Sequence, residues 1–392
     1  MTYLLLTLIY IAFISLGLPD SLLGSAWPTM QESFGVPLSY ASYISMLMSV
    51  GTVIASLMSD RLTRRFGTGK VTAFSVALTA VSLFGYSVSR SYVLLLILAV
   101  PNGLGAGGID AALNNYVSLH YSSRHMSWLH CMWGVGTVVG PYIMGYALSH
   151  GAEWNLTYRI IAIIQITLAV ILIATLPVWK IHKATASSTS EESAGKALTL
   201  RETLRIPGAV LMIITFFCYC ALEITPIVWS GSYLVHTCGF STDKAASLSS
   251  MFFMGITAGR AVGGFLTYKF SDKSMIRIGC SMIAVGTVLL ILPLGKYVTL
   301  AGLLTIGLGC APIYPAIMHS TPDYFGRENS GALIGVQMAS AYTGFCLMPP
   351  LFGAIADKLG IVIFPVMLAV LLGLLILMHE TLVKRAKNGF AK

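Results

Sequence analysis

The chain has 392 residues, of which 56% are hydrophobic and only 10% charged, and its mean hydropathy is +0.80. Soluble domains carry about 25% charged residues, so this composition excludes a soluble globular protein and marks an integral membrane protein. The formal net charge of +9 does not point to nucleic acid, because the basic residues gather in particular loops, the pattern that orients a membrane chain.

A membrane-spanning helix needs ~20 apolar residues, and the apolar runs are too long for the strands of a membrane barrel. Twelve spans are predicted, at 3–30, 38–59, 70–89, 92–119, 127–149, 157–179, 208–236, 243–268, 275–294, 297–319, 330–351 and 360–379. The first run continues past Asp20 without a basic leader and reads as a span rather than a cleaved signal. With both termini inside, the basic residues cluster in inner segments, as at Arg61, Arg64, Arg65 and Lys70. Outer links keep only Arg90, Arg159, Lys244, Lys296 and Lys358.

The longest polar stretch, within 181–207, is rich in Ser, Thr, Glu and Lys. It reads as a cytoplasmic linker between an N-terminal six-helix bundle, 1–180, and a C-terminal one, 208–392. The two halves read as repeats. Gly51 and Gly255 differ by 204 positions, as do Gly103-Leu104-Gly105 and Gly307-Leu308-Gly309; Asp20 and Glu223 differ by 203. Internal repeats of membrane helices mark transporters, with the binding site near mid-membrane.

Polar groups within spans are costly and tend to line pathways. Asp20 follows Pro19 in the first span, and Pro19 is expected to kink it. Asp110 lies in the glycine-rich fourth span with Asn114 one helical turn on, so the two share a face. Glu223, with Pro226 and Trp229, holds the matching place in the seventh span. Burial favours the neutral form of a carboxylate, so Asp20, Asp110 and Glu223 are candidates for loading and releasing H⁺; a fixed carboxylate could instead hold Na⁺. Asp110, with Ala106 and Asn114 one turn away on either side, is the expected principal coupling group. Asn114, His130, Trp133, Trp229 and Gln337 are candidate substrate contacts: amides both donate and accept hydrogen bonds, and indoles pack on C–H faces. Each also has a plainer reading as helix–helix packing or hydrogen bonding.

The link SLMSDRLTRRFGTGK resembles the Gly-x-x-x-Asp-Arg-x-Gly-Arg-Arg loop of the major facilitator superfamily, carried here by Asp60, Arg61, Arg64, Arg65 and Gly67, with Ser56 at the glycine. Gly259-Arg260 with Gly263 is similar to its second copy. Asp110 with Asn114, and Asp20, are also similar to the fucose-permease-like branch, and the Glu223…Trp229 pattern to sodium- or proton-linked glucose carriers. The resemblance implies an all-α membrane fold of twelve transmembrane helices in two pseudo-symmetric six-helix bundles. It implies conformational gating by Asp60, Arg61, Arg64 and Arg260, and substrate contacts at His130 and Trp133.

The expected function is secondary active transport by alternating access: H⁺-coupled uptake of a monosaccharide or similar polyhydroxylated solute, in a bacterial-type inner membrane. No nucleophile–base pair or metal-ligand spacing suggests an enzyme, and no cofactor is expected beyond H⁺ or Na⁺ as coupling ion. The expected partners are the solute and membrane lipid, with the chain a monomer. The alternatives are a proton-antiport exporter of amphiphilic compounds or drugs, suggested by Gly136-x-x-x-Gly140-Pro141, and a non-transporting membrane sensor.

Overall fold

The computed structural model describes residues 2–37, 40–179, 197–292 and 294–388. Of the expected linker, residues 181–196 fall outside these. The described part is helical without strands.

The first half of the sequence forms α1 (Thr2–Asp20), α2 (Leu22–Phe34), α3 (Ala41–Phe66), α4 (Thr68–Val88), α5 (Tyr92–His120), α6 (Ser123–Ser149) and α7 (Trp154–Ala174). The end of the expected linker forms a short α8 (Leu200–Arg205), and then come α9 (Ala209–Cys238), α10 (Thr242–Leu266), α11 (Asp272–Ile291), α12 (Lys296–Cys310), α13 (Ile313–Phe325), α14 (Arg327–Leu359) and α15 (Phe364–Lys387). Among the described residues, eleven helical runs are long and apolar enough to cross a membrane. The remaining long helix, α10, has 25 residues, about 37 Å of helix; it carries Arg260, whose charge lowers its hydropathy. Large apolar side chains such as Phe74, Val81, Ile97 and Val170 stand exposed along these helices, as expected where the solvent is lipid hydrocarbon.

The helix ends follow from local chemistry. Gly35 (φ 63°) closes α2 and Gly239 (φ 68°) closes α9, both in the left-handed region where glycine bears no steric penalty. The expected first span is interrupted at Ser21, just beyond Pro19, so it forms α1 and α2. The tenth is interrupted at Ala311–Pro312 and forms α12 and α13. Pro226 in α9 and Pro349-Pro350 in α14 leave their helices unbroken.

Two compact units group the chain. One gathers Met1–Tyr116, Leu129–Leu200 and Glu328–Ala339; the other gathers Val117–Trp128, Arg201–Arg327 and Ser340–Lys392. In the first unit a Cβ on Gly51 would stand 2.7 Å from the Val100 carbonyl oxygen and 2.9 Å from the Leu104 nitrogen. A Cβ on Gly105 would stand 2.6 Å from the Ser75 oxygen. So α5 packs backbone to backbone on both α3 and α4. In the second unit Gly255 faces the Leu304 oxygen and the Leu308 nitrogen, and a Cβ on Gly309 would stand 2.6 Å from the Gly279 oxygen. Each of these partners is shifted by 204 positions from its counterpart, so the repeat read from the sequence is also a repeat of interhelical contacts.

Candidate functional site

In the first unit, α1 and α6 meet through glycines. Gly17 faces the backbone of Trp133 and Thr137, and Gly136 faces that of Ile14, Gly17 and Leu18. Ser21, at the break after α1, donates its hydroxyl to the Thr137 carbonyl at 2.8 Å. This close approach brings the Trp133 indole to Asp20, where Nε1–H donates to Oδ2 at 2.8 Å. Asp20 itself is exposed. Among the described residues it makes no salt bridge, so a neutral donor meets this acid.

One turn earlier on α6 lies a second polar chain. Asn114 Nδ2 donates to Asp110 Oδ1 at 2.7 Å and to the Asp110 carbonyl at 3.0 Å. The same amide's Oδ1 lies 3.1 Å from His130 Nε2, and the edge-on ring of Phe13 packs on His130 at 5.6 Å. Asp110 and His130 are each 5% exposed and Asn114 is fully buried. With its amide hydrogen given to Asp110, Asn114 offers its oxygen to His130, so Nε2 is the protonated nitrogen in this arrangement. The result is a buried line of carboxylate, amide and imidazole across α5 and α6. His130 is buried because α6 starts at Ser123, earlier than the expected start at 127, and so sits two turns inside the helix.

The second unit treats its acid differently. Glu223 on α9 and Arg260 on α10 form a salt bridge of 3.1 Å, with side chains 7% and 5% exposed. A candidate coupling acid and a candidate gating base are thus one buried ion pair. Trp229 lies one and a half turns further along α9. Its Nε1–H donates to the Pro349 carbonyl at 3.2 Å, and its ring packs on Phe352 at 5.5 Å. Trp229 therefore lies in the seam between α9 and α14. Gln337 is fully buried within α14, in the stretch that belongs to the first unit.

In that unit Asp60 receives both contacts of Arg64 Nε, at 2.9 and 3.0 Å, and Arg64 Nη2 donates to the Glu328 carbonyl. Gly331, in the first turns of α14, lies against Asp60 Oδ1 and the Asn115 amide, leaving no room for a Cβ. Ser330 donates to Asn115 at 2.9 Å. Arg61 is exposed. Among the described residues no three His, Cys, Asp or Glu side chains converge as metal donors, and none of the seven cysteines stands in a disulfide.

Sequence reasoning passed over Gly17 and took Gly136 only as part of the Gly136-x-x-x-Gly140-Pro141 pattern, whereas the two together set the Asp20–Trp133 contact. It also passed over His319 and Asp272, which meet at 2.6 Å. A histidine at the end of an apolar run, with an acid at the start of another, was the available signal.

Membrane-length helices, an internal repeat and buried polar chains within the bundles together define a multi-pass membrane carrier. The profile of the Major Facilitator Superfamily matches residues 9–349 and 245–390, and the chain belongs to that superfamily: it is a transporter, not an enzyme. It is 23% identical to Bypass of stop codon protein 6 of Saccharomyces cerevisiae, over 93% of this chain and 79% of that one. It is 26% identical to the hexuronate transporter of Bacillus subtilis, over 88% and 85%. Its fold is similar to that of the E. coli fucose:proton symporter FucP, with TM-score 0.74 and 17% identity over 97% and 98% of the two chains.

Proposed function

We propose that the protein takes up a neutral, polyhydroxylated solute of monosaccharide size together with H⁺, by alternating access. The observation that carries this reading is the polar setting of two acids in the first unit: Asp20, which the neutral Trp133 indole meets, and Asp110, which the Asn114 amide, itself joined to His130, ties into a buried polar line. At Asp20, which makes no salt bridge among the described residues, the neutral donor lets the carboxylate change protonation state without stranding a counter-charge. Amide, imidazole and indole are also the groups that hydrogen-bond hydroxyls and pack on sugar C–H faces. The hexuronate and fucose carriers among its relatives agree with a sugar-like solute. Arg260, already engaged by Glu223, favours a neutral sugar over an acidic one.

In this cycle an acid of the first unit is protonated from outside, solute binds, the carrier changes state, and both are released inside. The ion and the solute each raise the other's affinity by the same factor. Both termini lie in the cytoplasm of a bacterial-type inner membrane, and Asp60 with Arg64 gates the change of state.

Proteoliposomes test the reading. Asp110→Asn mimics the protonated acid, so it should retain solute exchange, which moves no net proton, and lose accumulation against a gradient. Asp20→Asn is the comparison, because Asp20 is the other candidate coupling acid of the first unit. Uphill accumulation at the parental proton stoichiometry in Asp110→Asn would move the coupling role to Asp20 or Glu223. The antiport alternative predicts that an amphiphile, rather than a sugar, raises the thermal stability of the protein and drives proton movement in the opposite direction.

A further inference from the structure

The second unit contains a polar cluster that this cycle does not use. It ties Val117–Trp128, the hairpin between α5 and α6, to the starts of α11 and α14 and to α13. His319 on α13 places Nδ1 2.6 Å from Asp272 Oδ2 and Nε2 3.0 Å from the Tyr121 carbonyl oxygen. Ser123 donates to the other Asp272 oxygen. Two arginines hold the same hairpin: Arg327 Nη2 donates to the Leu119 carbonyl at 2.7 Å, and Arg124 Nη1 to the Tyr268 hydroxyl at 2.6 Å.

We propose that His319, as an imidazolium bridging Asp272 and the Tyr121 carbonyl, is a proton-dependent latch for the Val117–Trp128 hairpin.

The argument is one of donors and acceptors. A carboxylate and a carbonyl both only accept, so each needs an N–H from the ring. A neutral imidazole has one N–H and satisfies one of them; the imidazolium satisfies both. Removing the proton leaves a nitrogen lone pair facing the Tyr121 carbonyl and turns an attraction into a repulsion. Asp272 from α11 and Asp323 from α13 are the acids that act on the ring. Tyr324 shares those two acids, Arg277 and Glu380 are occupied with each other at 2.6 Å, and Arg124 and Arg327 are committed to the hairpin contacts above. On the hairpin itself His125 lies against Tyr121, ring to ring at 5.6 Å. Arginine keeps its charge throughout the accessible pH range, so the two arginine contacts form the constant part of the fastening and His319 the variable part. The latch depends neither on which solute is carried nor on which ion drives transport, so it stands or falls separately from the symport reading.

Hydrogen exchange on the full chain in lipid nanodiscs tests it. Peptides covering 117–128 are followed across pH, with rates normalised to intrinsic exchange. A charge-assisted hydrogen bond contributes about 1.5–3 kcal/mol, so losing it should raise normalised hairpin exchange roughly ten-fold or more across a single pH step. The step should vanish in His319→Gln, which cannot titrate, and persist in His125→Gln. In parent protein with ¹⁵N-labelled histidine, one histidine should show both ring nitrogens protonated below the step and lose that signature in step with the exchange; the signature should be missing from His319→Gln. If the parent shows no step, if the step persists in His319→Gln, or if His319 is neutral while the hairpin is protected, the proposal fails. Should His319→Gln not fold, the parent's exchange and ¹⁵N titrations, compared with those of Asp272→Asn, decide it: the step should move to lower pH once the carboxylate is gone.

Discussion

The two repeats place an acid at matching points of their first long helices and then diverge. Asp20 meets an indole at 2.8 Å, whereas Glu223 meets a guanidinium at 3.1 Å. The divergence can be traced to one position. At the repeat offset of 204, Arg260 aligns with Ser56, which is buried with its hydroxyl unpartnered among the described residues. One repeat therefore holds a neutralised ion pair, and the other has an acid held by a neutral donor. A buried ion pair resists a change of protonation, because neutralising either member strands the other. An acid beside a neutral donor has no such constraint. In the proposed cycle, the half with the ion pair is the fixed element and the half with Asp20 is the one that titrates.

This contrast can be broken most severely at Arg260. Arg260→Ala strands Glu223 in the second unit and should cost about 3–5 kcal/mol, read as a fall in thermal midpoint of the purified protein. Glu223→Gln combined with Arg260→Gln should recover much of that loss, and equal losses in the single and double variants would show that the pair does not behave as a unit. A smaller effect is expected at the glycine seams. Gly51→Ala and Gly255→Ala each push a methyl group into a backbone and should cost about 1–3 kcal/mol. The two losses should be alike if the repeats share their packing, and a clear inequality would separate them. The smallest effect on stability is expected at Trp133→Phe. Because Asp20 is exposed, water replaces the lost donor, and the midpoint should fall by less than that of either glycine variant. Solute affinity should nonetheless drop several-fold, and an unchanged affinity would remove Trp133 from the site.

Much of the architecture was legible because its signals are local in sequence. Spans are runs of apolar residues, the repeat is a constant offset, and the Asp110–Asn114 pairing is a spacing of four on one helix. What escaped depends on neighbours distant in the chain. The Glu223–Arg260 pair joins two helices, and no spacing within either announces it. The Asp20–Trp133 bond requires Gly17 and Gly136 to bring two backbones together, which is visible only once α1 lies on α6. His130 looked like a residue near a span end because the sequence SRHMSW is polar. Those residues are nonetheless helical, because the Val117–Trp128 hairpin packs within the second unit and finds partners there. Proline was an equally incomplete guide: the chain breaks just past Pro19 and at Pro312 but runs straight through Pro226 and Pro349-Pro350, since a proline removes one hydrogen bond and packing decides whether the helix tolerates it.

The glycine seams have a mechanical consequence. Where one added carbon would collide with a carbonyl, two helices cannot slide or roll against each other without first separating, because close-packed interiors do not deform continuously. The α3–α5 and α10–α12 pairs should therefore behave as rigid beams. Bending must be taken up at the joints, and among the described residues Ser21, between α1 and α2, and Ala311–Pro312, between α12 and α13, are such joints inside spans.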